Sequence, residues 1–253
     1  MKTKRVLILG GAGFIGSNIA KRFVDGGWRV TIVDGLLSQT GGRVENLATI
    51  AKKIEFIDKR IESVVNLSDI IGSCDLVVDS MAWTAHRKAI SDPFYDLKLN
   101  LLSHLKLIEN LKGKKGKKVI FMGTRSQYGQ ISGIIDEETP KVTLDVQGIN
   151  KEAAESYFRI YSNIYGFDVA SVRFGNTMGV NMRYKGDDIG LVGSLVRDLI
   201  LGRKVKVYGE KHTRSFVYVG DLAEVVWRLA TGDFEGFEAF NLNGQVMLVG
   251  EFV

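Results

Sequence analysis

Val6-Leu7-Ile8-Leu9-Gly10-Gly11-Ala12-Gly13-Phe14-Ile15-Gly16 is the most informative stretch of this chain. Four apolar residues running straight into glycines read as a short strand, covered on both faces, that ends in a tight turn. Helical spacing then begins and is predicted over Phe14–Val24. The glycines fit GxGxxG from Gly11 or GxxGxxG from Gly10. In either register the turn brings the backbone of Gly10, Gly11, Ala12, Gly13, Phe14, Ile15 and Gly16 up to a pyrophosphate at a helix N-terminus. Asp34 closes the next strand about twenty residues on, where a carboxylate accepts a hydrogen bond from the adenosine ribose 2′-hydroxyl. The same charge repels a 2′-phosphate, so the expected cofactor is NAD rather than NADP.

After this loop the chain alternates β-rich and helical runs. Val30–Val33, Ile54–Ile57, Leu76–Val78, Val119–Met122 and Val169–Val172 are predicted strands. Helices are predicted over Phe94–Leu111, on a stripe of Phe94, Leu97, Leu101, Leu105 and Ile108, and over Ile149–Ile164, on a stripe of Ala153, Tyr157, Ile160 and Ile164. Alternation of this kind gives an α/β fold with a Rossmann-type doubly wound parallel sheet. Residues 1–174 are assigned to that domain. Residues 175–253 carry shorter strands, Val205–Tyr208 and Phe216–Val219, and are expected to form a small, C-terminally short substrate-binding portion whose strands can return to the first domain.

Composition narrows the function classes. The 253 residues are 45% hydrophobic and 25% charged, enough apolar material for a packed core and unlike a disordered chain. No run approaches the length of a membrane span, and the basic N-terminus leads into a strand rather than a secretion signal. One cysteine, Cys74, forms no internal disulfide and suits a reducing cytoplasm, the expected location. The formal net charge of +5 equals the five lysines of the loop Lys112–Lys118. Those lysines read as a solvated turn after a helix C-terminus; no aromatic side chains interleave them for stacking on bases. Neither nucleic acid nor membrane is an expected partner, and no metal site is read.

Further segments, in order, resemble the extended short-chain dehydrogenase/reductases, specifically the NAD-dependent nucleotide-sugar epimerase/dehydratase family. They are the glycine loop, Asp79-Ser80-Met81-Ala82, Asn100, Thr124-Arg125-Ser126-Gln127-Tyr128-Gly129, Gly148 to Glu155, Arg173-Phe174-Gly175-Asn176, and Arg214 to Asp221. The resemblance implies cofactor contacts from Ile61, Ala82, Asn100 and Lys151, and substrate contacts from Thr84, His86, Asn176, Tyr208 and Arg214. It also implies a nucleotide-sugar substrate and a homodimer formed through the helices at Phe94–Leu111 and Ile149 onward. In the family a tyrosinate takes a sugar hydroxyl proton as hydride passes to the nicotinamide. A lysine four residues later lowers the tyrosine pKa, and a Ser/Thr orients the hydroxyl.

Thr124 and Lys151 match that pattern, but the tyrosine position holds Gln147. An amide hydrogen-bonds but does not titrate, so it is no general base. Asp145, Tyr128, His86 and a lysine-activated water are the alternative bases, Asp145 being equally readable as a helix cap. Arg60-Ile61 replaces the Asp-Ile that meets adenine in the family. Arg125 and Ser126 stand where the 4,6-dehydratases place an acidic pair, which disfavours water elimination. The resulting expectation is an NAD-dependent nucleotide-sugar epimerase or related oxidoreductase. The alternatives are a catalytically weakened sensor or scaffold that binds NAD or nucleotide sugar, and a nucleotide-sugar dehydratase.

Overall fold

The computed structural model describes residues 3–131, 133–186, 189–205, 207 and 209–252. β1 (Arg5–Leu9) lies inside a seven-stranded sheet with β2 (Arg29–Asp34), β3 (Ile54–Asp58), β4 (Leu76–Asp79), β5 (Lys118–Met122), β6 (Asp168–Phe174) and β9 (Phe237–Leu242). The order is β3-β2-β1-β4-β5-β6-β9 and every pairing is parallel. Side chains alternate across a strand, which explains the continuous apolar runs. Val6 and Ile8 pack on one face with α1 (Phe14–Asp25) and α8 (Val219–Thr231). Leu7 and Leu9 pack on the other, among Ile71 of α2 (Leu67–Ser73), Leu107 and Ile108 of α5 (Ser103–Leu111), and Phe158 of α6 (Val146–Tyr165). Strand order reverses between β1 and β4, so their carboxyl ends part at a crevice, the usual ligand position in such sheets.

Residues after Phe174 divide between two sheets. α8 packs on α1 and β9 adds to β6, completing the first sheet. β7 (Asn176–Met178), β8 (Thr213–Tyr218) and β10 (Gln245–Leu248) form a second, three-stranded sheet. α7 (Gly190–Ile200) and α9 (Val249–Phe252) lie in the same stretch. The expected strand Val205–Tyr208 falls partly outside the described residues, and Tyr208 is one of those outside.

Two helical stripes differ from expectation. The single helix over Phe94–Leu111 is three pieces: α4 (Pro93–Leu97), a π-helical turn at Lys98–Leu102, and α5. The short α3 (His86–Ser91) precedes them. A π turn carries an extra residue and rotates the next helical turns about the axis, so an unbroken 3.6-residue stripe cannot hold. Phe94 at the start of the stripe is 82% exposed, Leu101, Leu105 and Ile108 at its end pack on the core, and Asp96, Asn100, Ser103 and His104 are buried as well. On α6 the buried face is Gln147, Asn150, Lys151, Ala154, Glu155, Phe158 and Ser162. The expected stripe is its outer face, where Tyr157, Ile160 and Ile164 are exposed.

The lysine loop is tied to the fold. Lys117 Nζ donates to Cys74 O, Lys118 Nζ donates to Gly232 O at 2.9 Å, and Lys112 pairs with Glu109 at 2.7 Å. No helix of the described residues is long and apolar enough to cross a membrane.

Candidate active site

The crevice at the switch point is a cleft of about 1110 Å³, running from the glycine loop past the head of α6 to β7 and β8. At its first end Gly10 has φ of +71°, and a Cβ there would stand 2.9 Å from Ser80 O. A side chain at Gly16 would collide with Gly10 O. No side chain caps α1, so the first-turn N–H groups are left to a ligand. Gly10, Gly13, Phe14, Ile15 and Gly16 line the cleft. Gly11 and Ala12 form the back of the turn: a Cβ on Gly11 would run into Ile32, and Ala12 N donates to Asp34 Oδ2 at 2.9 Å. Asp34 also accepts from Leu36 N at 2.9 Å through Oδ1. Each oxygen keeps a second lone pair for a ribose hydroxyl. Burial raises the Asp34 pKa against these amide bonds. A tight glycine turn, an uncapped helix head and a carboxylate on the next strand together fit the adenosine diphosphate half of a dinucleotide.

Ile61 and Ala82 also line the cleft. So does Glu62, a residue that the sequence pattern does not single out. Its carboxylate accepts from Ser103 Oγ at 2.7 Å and pairs with Arg60 at 3.3 Å. These bonds outweigh burial and hold its pKa below the ordinary value. A Glu one residue after Ile61 was the available signal.

Asn100 does not reach the cleft. It is fully buried, accepts from Trp83 N and donates to Trp83 O, both at 2.9 Å, and donates to Asp96 Oδ2 at 2.8 Å. Asn150 of α6 donates to the other Asp96 oxygen at 2.7 Å. Asn100 thus clamps the loop after β4, which carries Ala82, Thr84 and His86 into the cleft.

α6 presents Gln147 and Lys151, four residues apart, to the same cleft wall, which Thr124 also lines. Lys151 is 3% exposed; its Nζ lies 3.4 Å from Met81 O and 4.1 Å from the centroid of Phe121. Burial lowers its pKa to about 8, although Asp79, Glu155 and Asp96 favour the charge. Behind it Asp79 and His104 form a fully buried pair at 2.7 Å. Burial lowers the His104 pKa against the pull of Asp79. Thr124 Oγ1 lies 2.7 Å from Ser126 Oγ and accepts from Ser126 N.

Among the alternative bases, Tyr128 is spent elsewhere. It is buried, donates from its hydroxyl to Asn241 at 2.8 Å, and accepts there from Arg173 at 2.5 Å. Asp145 caps α6, accepting from Gly148 N at 2.8 Å, and its Oδ1 lies 3.4 Å from His86 Nδ1. Both Asp145 and His86 line the cleft. At the far end stand Asn176 and Arg214, with Asn176 Nδ2 buried without a partner among the described residues. Arg125 faces the same end, close enough to Arg214 for burial and guanidinium repulsion to lower its pKa.

Comparison with known proteins agrees with this architecture. The profile "NAD dependent epimerase/dehydratase family" matches residues 6–242, nearly the whole chain. The chain belongs to that family. Family proteins solved with NAD bound include the Thermus thermophilus UDP-glucose 4-epimerase, 28% identical, covering 98% of this chain and 80% of that one at a TM-score of 0.83. UDP-N-acetylglucosamine 4-epimerase from Methanobrevibacter ruminantium superposes at a TM-score of 0.91 and 26% identity, over 100% and 80% of the two chains. A putative UDP-glucose 4-epimerase of Methanocaldococcus jannaschii is 29% identical over 87% of this chain and 71% of its own. A nucleotide-sugar dehydratase and a decarboxylase match at similar identity. The cofactor of this epimerase/dehydratase family member is NAD.

Proposed function

We propose that this protein is an NAD-dependent nucleotide-sugar epimerase or related oxidoreductase that works by transient hydride transfer from a sugar carbon, with Gln147 in place of the family tyrosine. The observation that carries the reading is one continuous cleft joining the glycine loop, the Thr124–Gln147–Lys151 wall and the Asn176–Arg214 end. Bound NAD⁺ supplies the hydride acceptor. The glycine loop and Asp34 hold its adenosine diphosphate half, and Lys151 holds the nicotinamide ribose. With a pKa of about 8, Lys151 is mostly a cation at pH 7 and raises the local positive potential. Thr124 orients the sugar hydroxyl and Gln147 hydrogen-bonds the sugar.

Arg214 and Asn176 take the nucleotide diphosphate, and the repulsion between Arg125 and Arg214 is relieved when an anion lies between them. Arg125 and Ser126 offer no acid for a departing hydroxyl, which places epimerisation or simple redox ahead of dehydration. Gln147 favours one further reading, a protein that binds NAD and nucleotide sugar without efficient turnover. Purified protein loaded with NAD and offered a panel of nucleotide sugars separates the two. Altered sugar stereochemistry, or reduction of bound cofactor, supports the enzyme; unaltered sugars with tight binding support the binder.

The exposed outer face of α6, together with Phe94 and Leu102, supports a homodimer.

A further inference from the structure

With glutamine at position 147 the sugar hydroxyl proton needs another acceptor. Tyr128 is buried in a structural network, and Lys151 is mostly protonated at pH 7. We infer that His86, held in place by Asp145, is the general base of this site. The inference rests on the oxidoreductase reading above.

The geometry runs from residue to residue around the head of α6. Asp145 is fixed by its capping bond to Gly148 N, and the same oxygen lies 3.4 Å from His86 Nδ1. An ideal Cβ on Gly148 would stand 3.4 Å from both Asp145 Oδ1 and Ser126 Oγ. Ser126 Oγ is in turn 2.7 Å from Thr124 Oγ1, the hydroxyl that orients the substrate. Gly148, on which Thr143 Cγ2 also closes, thus has the Asp145–His86 pair and the Ser126–Thr124 pair as neighbours, next to Gln147. His86 reaches the cleft at the start of α3, on the loop clamped by Asn100, and its side chain is half exposed there.

The charges fit the role. Burial alone would raise the Asp145 pKa, but the His86 bond and the amides of Gly148 and Gln147 outweigh it and keep the carboxylate ionised. A carboxylate facing Nδ1 keeps the proton there and places the imidazole lone pair on Nε2. Asp96 of α4 also acts on the ring. Arg87 and Lys88 follow His86 on α3, and α6 brings Asp145 to it. The two carboxylates favour the imidazolium that forms when a proton arrives. In the step, the hydroxyl O–H bond breaks and an N–H bond forms at His86 Nε2. NAD⁺, when bound, would accept the hydride that the carbon gives up as it becomes a ketone. Return of the hydride and of the imidazolium proton regenerates the alcohol and the neutral ring. His86 is the proton acceptor and Asp145 a positioning residue.

The test uses NAD-loaded protein and two substitutions, His86→Asn and Asp145→Asn, each shown by thermal melting to be folded. Nucleotide-sugar turnover is followed against pH, with and without added imidazole. His86 is one of only three histidines, so its ring titration is followed by NMR in wild type and in Asp145→Asn. The expected results are an acid limb in the wild-type profile and a loss of about 10²–10⁴-fold in His86→Asn that imidazole partly restores. Asp145→Asn is expected to lose less activity and to lower the midpoint of the His86 titration. Turnover and a pH profile unchanged in His86→Asn, or a His86 midpoint unmoved by Asp145→Asn, overturns the base while leaving the oxidoreductase reading intact. A wild type that alters no nucleotide sugar overturns both.

Discussion

Lys151 is a buried cation whose company is already partly committed: Asp79 bonds His104, and Glu155 bonds Arg173. Its pKa falls from 10.5 to about 8 because burial costs the charged form more than these neighbours return. The unfolded chain thus binds more protons than the folded one between those two values, and stability rises with pH across that window. Below about pH 8 the full cost of the buried charge is present, on the order of 3 kcal/mol for a shift of this size. Lys151→Met is accordingly expected to raise the melting temperature of the NAD-free protein at pH 7. The difference from wild type should shrink as pH approaches 10, while sugar-dependent cofactor reduction is lost at every pH. Melts of both proteins across that range check the sign. At Gln147 the expectation comes from the relocated base. Gln147→Tyr places a phenol four residues before Lys151, so it should recover at least tenfold of the activity lost in His86→Asn. In the wild-type background the same change should gain only a few-fold. Equal effects in both backgrounds would mean that His86 and the new tyrosine do not share one task.

α6 carries two kinds of chemistry on its buried face: the site residues at its head, and Glu155 two turns from its start. Glu155 accepts both arms of Arg173 at 2.7 and 3.0 Å, Lys141 at 2.6 Å and Ser171 at 2.7 Å, so it fastens α6 to β6. Burial opposes ionisation, but Arg173 and Lys141 overwhelm it and pull the pKa to about 2. A carboxylate so depressed contributes stability above its unfolded pKa, and that contribution fades as pH falls toward about 2. Glu155→Gln leaves the Arg173 guanidinium buried without its charge partner and should cost about 3–5 kcal/mol. It should also flatten the acid limb of a stability–pH curve measured by urea unfolding. The sequence made the parallel sheet legible because runs such as Val6–Leu9 and Val119–Met122 have one explanation, burial on both faces. It concealed the helices at the site for a physical reason. Their inward residues include Asp96, Asn100, Asn150, Lys151 and Glu155, polar groups satisfied by one another and by loops and strands distant in sequence, and a π turn interrupts the helical spacing at Asn100. On α6 hydrophobic periodicity therefore pointed to the outer face, whereas the stripe ending at Ile108 did reach the core. The glycine loop was legible from its spacing, and Thr124 and Lys151 only through the family resemblance. The contact of His86 with Asp145 joins residues fifty-nine positions apart and was not.

Over the whole molecule, the switch point between β1 and β4 sets where the cleft opens, and the three-stranded sheet supplies its far wall through Asn176 and Arg214. The side of the Rossmann sheet that carries α5 and α6 also holds apolar surface that a monomer leaves in water. Ile149, Ile160 and Ile164 on α6 are 56%, 49% and 65% exposed, and Phe94 and Leu102 lie on the neighbouring helical stretch. Steps of eleven and four residues, close to whole helical turns, bring the three isoleucines of α6 to one face, as in a helix seam rather than among scattered surface residues. A twofold pairing of this face places α5 and α6 of one protomer against those of a second and removes the apolar residues from water together. Sedimentation velocity at micromolar concentration should then show a dimer. Ile160→Glu sets two like charges near the twofold axis and should shift the population to monomer. Because the substituted side chain lies on the outer face, the monomer should keep its far-UV spectrum and still bind NAD. A wild type that sediments only as a monomer would leave this face without its assigned role.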